Sequence, residues 1–354
     1  MPPVRDTTID IAKGLAIVAI VLGHVLRGLE ASGVLDGSAP GFALADRTLY
    51  MGHLTIFAFL SGLFISRGVE RRGPREYLTA RLALFLYLYL LWQTLQVVVK
   101  LVTASQVNHH LGLSRLWEVW RPEGQMWFLP WLVVATLLVV LTRVWEDRPL
   151  AYAGVGLGVV VSCATWAYNG PVAGTQGLGI IVFFVCGARL GYAGLQRGMR
   201  RLTAPAALVL LVVGGAGFTL LVLYTPALPP TVSAPRGLDG ILLGFLATCL
   251  ALVAVVALSA LLARGRAFGW LAFLGQRSLE IFLAHITATA GTRIVLSRLG
   301  ADSPAVQIAA GTLAGVVLPL LLWWIASRWR IPLFALPPAL ERALRSSSSA
   351  AGRS

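Results

Sequence analysis

Apolar residues in this chain run in long stretches, each near the ~20 residues that an α-helix needs to cross a bilayer core. They recur at 9–28, 48–66, 82–102, 126–144, 150–168, 177–193, 204–225, 238–262, 277–297 and 304–327. The pattern predicts an all-α, polytopic membrane protein of ten transmembrane helices. The stretch 177–193 is short, so a tilted or partly re-entrant segment is expected there. Residues 268–275, Phe-Gly-Trp-Leu-Ala-Phe-Leu-Gly, read as an interfacial lead-in that breaks at Gly275. Residues 1–330 are expected to form one helical domain. The Ser- and Arg-containing segment 331–354 is expected to be a largely disordered cytoplasmic tail.

Composition strengthens this reading. Of 354 residues, 57% are hydrophobic and only 12% charged, about half the charged share of a soluble domain. The formal net charge of +14 would suit a nucleic-acid binder, but its distribution says otherwise. With the N-terminus in the cytoplasm, most of the 29 basic residues fall in loops on the inner side, as the positive-inside rule requires. Both termini are then cytoplasmic, the excess charge faces anionic lipid headgroups, and no nucleic-acid partner is expected. Asp10 and Lys13 interrupt the first apolar stretch, which argues for a retained anchor rather than a cleaved signal. Cys163, Cys186 and Cys249 lie singly in apolar stretches, with neither metal nor disulfide spacing. The preference for arginine over lysine, together with abundant alanine, points to a bacterial inner membrane.

The first apolar stretch is also where chemistry is concentrated. Asp10, Lys13 and His24 stand in an otherwise apolar helix, and ionisable groups at membrane depth mark substrate or proton paths. Lys13 and His24 are eleven residues apart, three helical turns, so they share a face about 16 Å apart. A neutral histidine within reach of a hydroxyl can take its proton. A lysine at the entrance suits a phosphate or carboxylate, and Asp10 is placed to pair with it.

In the ninth stretch, Glu280 and His285 lie about 140° apart, too divergent to serve one narrow site together. Arg277 stands at i,i+3 from Glu280 as an alternative, structural partner, and a helix–helix hydrogen bond is the default for His285. Clustered arginines from Arg67 to Arg81, including Arg72 and Arg75, suit phosphates but also satisfy the topology rule. Trp117, Trp120, Trp127 and Trp131 read as an interfacial belt, with stacking on a sugar ring as the functional alternative. Ser61 and Gly62 read as close-packing residues. His53 faces either a ligand or a neighbouring helix. The adjacent His109 and His110 tend to point apart, so no metal site is expected. A proton-coupled transporter or flippase uses the same buried groups; the lack of visible repeats counts against it.

Four stretches, in order, resemble acyltransferase family 3: Ile9-Asp-Ile-Ala-Lys-Gly-Leu-Ala-Ile-Val leading to Gly23-His24, Phe59-Leu-Ser-Gly62, Trp127-Phe-Leu-Pro130, and Leu274-Gly-Gln-Arg-Ser-Leu-Glu-Ile-Phe-Leu-Ala-His285. The resemblance covers residues 5–330 and implies a ten-helix enzyme. Such enzymes move an acyl group, here acetyl, from acyl-CoA to a hydroxyl of a carbohydrate or lipid-linked acceptor. Acyl-CoA is then a co-substrate, with no tightly bound cofactor. The resemblance makes Lys13 and His24 the family's basic-x10-histidine pair, with Glu280 as a further catalytic candidate. It associates Arg72, Arg75 and Arg81 with the acyl donor, although only Arg81 of the usual Arg-x-x-Arg pair stands at its place and Leu84 occupies the other. Ser61, Trp127 and His285 are the acceptor-side candidates.

Overall fold

The computed structural model describes residues 7–103 and 112–351; His109 and His110 lie outside them. The described residues form α1 (Thr7–Ala31), α2 (Pro40–Gly62), α3 (Ile65–Arg72), α4 (Pro74–Val102), α5 (Phe128–Thr142), α6 (Pro149–Thr165), α7 (Ile181–Arg201), α8 (Ala204–Tyr224), α9 (Leu238–Leu262), α10 (Gly269–Gln276), α11 (Ser278–Arg298), α12 (Pro304–Arg328) and α13 (Pro338–Ala351). Each expected apolar stretch coincides with a helix. Nine spans among the described residues are long and apolar enough to cross a membrane, and α6 is a shorter apolar helix. The protein is thus an all-α polytopic membrane protein.

The first helix is the axis of the bundle, touching α2, α9, α10, α11 and α12. Ile11, Ile17, Ile20 and Val21 are sealed from solvent. The peripheral helices do the reverse. Leu208, Val209, Val212 and Val213 on α8, and Leu313 and Val317 on α12, are exposed. In a bilayer these side chains meet lipid tails, while backbone groups are satisfied within each helix.

Central helices approach closely because glycines stand at their crossings. A Cβ on Gly62 would fall 2.2 Å from the Phe184 carbonyl oxygen, and one on Gly187 2.1 Å from that of Phe59. The α2–α7 crossing is therefore backbone against backbone, so Gly62 is the packing residue it was expected to be. Both helices break just beyond it. α2 gives way to α3 at Leu63 and Phe64, and α7 kinks at Gly191, with φ 64° and ψ 163°. The next residue, Tyr192, donates its backbone N–H to the Leu63 carbonyl at 2.8 Å. This kink ends the apolar part of α7, which accounts for the short 177–193 stretch. Alanine at 191 would have to hold positive φ with extended ψ, a region nearly confined to glycine, so Gly191→Ala is expected to cost about 1–3 kcal/mol. A lowered melting temperature of the purified protein in detergent checks this.

Two connections are tied down by side chains. Arg47 donates to the carbonyl oxygens of Val222 at 2.8 Å, Ala227 at 2.7 Å and Thr225. The segment after α12 was expected to be free, but its first residues lie along α4. The Tyr87 hydroxyl donates to the Pro332 carbonyl at 2.9 Å and Trp92 Nε1 to that of Leu333 at 2.8 Å. Ring contact between Trp92 and Phe334, 5.4 Å between centroids, completes the attachment. Residues Pro-Leu-Phe in this segment bring enough apolar surface to dock, which the average composition of the tail concealed.

Candidate functional site

The α1 positions Ile9, Lys13, Ile20, His24 and Arg27 recur at helical spacing, forming one stripe along the helix. Every one of them faces a cavity. A cavity of about 610 Å³ opens at the Lys13 end. Lys13 Nζ lies 5.1 Å from the centre of the Phe64 ring, beside the break that ends α2. Asp10, Ser61, Arg67, Tyr77, Arg81 and Tyr192 share the lining. The cations gather at the mouth, and the walls beyond them are apolar. Phe64 and Tyr192 stack there at 5.3 Å, so the two helix breaks shape the entrance.

Deeper in the bundle, Leu54, Phe128 and Phe282 line this cavity and also a second one of about 240 Å³. These three side chains are the partition between the two spaces. His24, one turn beyond Ile20, lies on the far side with Arg27, Tyr50, Gln125, Trp127, Asn169 and Thr231. The imidazoles of His24 and His285 are 5.0 Å apart between centroids. His285 is fully buried, and its Nδ1–H donates to the carbonyl oxygens of Phe282 at 2.8 Å and Ile281 at 3.1 Å. That leaves Nε2 as the remaining basic nitrogen in the neutral ring, and it has no hydrogen-bond partner. His285 is thus bonded within its own helix, not across to another as expected, and its ring stands against His24.

The walls of the second cavity are polar and held in place. Arg27 is fixed by Asp46 through two hydrogen bonds of 2.6 and 2.8 Å, and its guanidinium lies 3.4 Å from the Tyr50 ring centre. Such a fork resists reorientation. Tyr50 packs edge-on against His53 at 4.7 Å, and His53 Nδ1–H donates to the Leu49 carbonyl. The Gln125 amide nitrogen donates to the carbonyls of Phe282 and Leu283, both at 3.2 Å. Its Oε1, like Thr231 Oγ1, is buried without a hydrogen-bond partner. Unsatisfied polar atoms inside a protein are uncommon and call for a ligand or water. Trp127 adds an aromatic face, set by Gly177, where a Cβ would fall 2.1 Å from the indole.

The expected residues therefore separate into groups. Lys13, Ser61 and Arg81 belong to the first cavity, while His24 and Trp127 belong to the second, with His285 behind His24. Ser61 thus stands at the Lys13 end, away from the acceptor side to which it was assigned. Arg72 and Arg75 are exposed and line neither cavity. Arg67, one helical turn further back along the chain, turns inward instead. Glu280 lines neither cavity; its carboxylate meets Arg277 Nη1 at 3.2 Å. Arg277 in turn lies 3.8 Å from the Trp323 ring centre. This ion pair is the structural alternative that the i,i+3 spacing offered for Glu280. Arg67 was named only as one of a run of arginines, and Arg27, Tyr50, Gln125 and Thr231 were not singled out from the sequence. Arg27 had a signal, its i,i+3 spacing from His24; Gln125 had one as an amide at the edge of an apolar stretch. Among the described residues, no three His, Cys, Asp or Glu side chains form a group that could hold a metal ion.

The sequence profile of a family described as an acyltransferase domain matches residues 6–324. The chain is also 30% identical over 139 residues to nodulation protein NolL of Sinorhizobium fredii (strain NBRC 101917 / NGR234), a match covering 38% of this chain and 36% of that protein. The aligned part thus spans about a third of the relative's length. No solved structure matches the chain.

Proposed function

Starting from acyltransferase family 3, to which this membrane protein belongs, we propose that it transfers an acetyl group from acetyl-CoA to a hydroxyl of a carbohydrate or glycolipid. The first cavity receives the donor. Lys13, Arg67 and Arg81 attract its phosphates to the mouth, and the basic excess of the inner loops supports a mouth on the cytoplasmic side of a bacterial inner membrane. The pantetheine arm then follows the apolar walls toward Leu54, Phe128 and Phe282. The acceptor occupies the second cavity, with its ring on Trp127 and hydroxyls toward Gln125 Oε1 and Thr231 Oγ1.

His24 stands beside the partition and takes the proton of the attacking hydroxyl. The new O–C bond forms as the C–S bond of the thioester breaks, and the proton passes on to the departing thiolate. His285, anchored through Nδ1, positions the His24 ring. The observation that carries this reading is the placement of His24 in a small chamber of polar side chains and aromatic rings, which shares Leu54, Phe128 and Phe282 with a basic-mouthed apolar channel. Lys13→Ala is expected to raise KM for acetyl-CoA about tenfold with kcat little changed, since it removes binding shared by ground and transition states. Steady-state assays with labelled acetyl-CoA in nanodiscs check this, and an unchanged KM contradicts the donor placement. Trp127→Ala is expected to raise the acceptor KM by about tenfold instead, leaving that for acetyl-CoA unaltered in the same assay.

A further inference from the structure

His24 borders a third cavity as well, of about 280 Å³, enclosed by α1, α4, α11 and α12. Its lining includes three cations, Arg27, Lys100 and Arg293, and no carboxylate. Lys100 is in the last turn of α4, Arg27 and Arg293 are near the ends of α1 and α11, and Gln307 is in the first turn of α12. The charged side chains therefore gather at the opposite end of the bundle from Lys13, at the depth where a bilayer changes from tails to headgroups. Asp46 and Glu123 hold two of them from outside the cavity. Asp46 fixes Arg27, and Glu123 lies 2.5 Å from Lys100 Nζ. Arg115 Nη2 shares that glutamate at 3.3 Å, which draws part of its charge away from the lysine.

Gln307 supplies an independent sign of a ligand. It is 2% exposed and its amide nitrogen bonds the Ala301 carbonyl at 3.2 Å and Ser297 Oγ at 3.4 Å. That orientation commits Oε1 to accepting, yet Oε1 has no partner. Apart from His24 and Thr289, whose hydroxyl donates to the Ile286 carbonyl at 3.1 Å, the rest of the lining, including Val25, Leu29, Ile286, Ala290 and Gly311, is apolar. A group that satisfies both halves carries negative charge, a hydroxyl for Gln307, and a hydrocarbon chain.

We propose that this cavity seats the phosphoryl head of an amphiphile, with its chain against α11 and α12. Guanidinium and ammonium donors from three helices suit phosphate oxygens, and an alcohol O–H of the headgroup beside the phosphate suits Gln307 Oε1. On the acyl-transfer reading above, the same molecule extends past His24 into the second cavity, so that its sugar is presented for acylation while its phosphoryl group stays here.

Native mass spectrometry of the full chain in non-ionic detergent, with dodecyl phosphate as probe and dodecanol as control, tests the site without using acyl transfer. One retained dodecyl phosphate per chain is expected, with no dodecanol. Affinity should fall about tenfold in Arg293→Gln and Lys100→Gln and more in Gln307→Glu, which sets a like charge against the phosphate. Arg266→Gln, exposed at the other end of the bundle, should leave it unchanged. Absence of an adduct, or equal retention by all variants, overturns the proposal. Retained acetyl-CoA binding shows that a variant is folded, and Arg293→Lys should keep most of the affinity if Arg293→Gln does not fold. Phosphatidylglycerol that displaces the probe assigns the phosphoryl group to bilayer lipid; displacement only by a sugar-bearing phosphodiester amphiphile assigns it to the acceptor, and either upholds the site. Lost probe binding beside intact His24-dependent acyl transfer would remove this inference alone, whereas retained probe binding without any acyl transfer would remove the functional reading alone.

Discussion

His24→Ala is expected to lower acetyl transfer by about 10²–10⁴-fold, the usual contribution of a positioned general base, while binding of acetyl-CoA is retained. The separation of the two effects follows from the geometry. His24 lies beyond Leu54, Phe128 and Phe282, whereas the residues proposed to hold the donor's charged end, Lys13, Arg67 and Arg81, line the first cavity, with Lys13 three turns away on the same helix. Glutamine at 24 should fare no better than alanine, since an amide cannot take the proton. His285→Ala should lose less, because His285 touches no cavity and acts through its neighbour. Its readout is a changed pH profile of kcat, which a merely structural loss would not give. Transfer of labelled acetyl groups by matched amounts of reconstituted protein, with acetyl-CoA binding measured in parallel, gives the comparison. Full activity of His24→Ala would remove the histidine from the chemistry.

Gly275→Ala is expected to cost about 3 kcal/mol or more, at the upper end of overpacking penalties, and to abolish donor binding in whatever protein remains folded. A Cβ there would stand 1.8 Å from the Asp10 carbonyl oxygen and 2.9 Å from the Gly14 backbone nitrogen. The contact is reciprocal: a Cβ on Gly14 would fall 2.1 Å from the Leu271 carbonyl oxygen. Two backbones cannot yield as a flexible side chain can, so α10 must move away from α1. That movement displaces Asp10, which Gln276 Nε2 holds at 3.0 Å, and the Lys13 turn beside it. A fall in melting temperature with loss of acetyl-CoA binding checks the first effect against the second. Gly28→Ala on the same helix meets no atom within 4 Å and should change neither.

The helices were readable because lipid imposes a simple rule, long apolar runs, and each predicted stretch became a helix. The α1 stripe was readable for a related reason: Lys13 and His24 stand out chemically from the apolar residues around them, and their spacing fixes a common face. Side chains that owe their role to tertiary contact were not. Arg67 and Arg72 look alike in a run of arginines, and only the break between α2 and α3 decides that the first turns inward. Gln125 and Thr231 come from connections distant in sequence, and they meet only because those connections fold over the His24 end of the bundle. Gly275 read as a place where a helix breaks. Its actual role, letting α10 lie against the backbone of α1, depends on a partner more than 260 residues earlier. Glu280 shows the opposite case: its i,i+3 pairing with Arg277, a purely local contact, was legible from spacing alone.

The central claim is that donor and acceptor meet at His24 from opposite sides of one partition. A cryo-electron microscopy structure with a non-hydrolysable thioether analogue of acetyl-CoA tests it most directly. The account predicts phosphate density against Lys13, Arg67 and Arg81, and the acetyl end at Leu54, Phe128 and Phe282, next to the imidazole. Density placing the acetyl end at the cavity mouth, or the analogue on a different face of the protein, would contradict it.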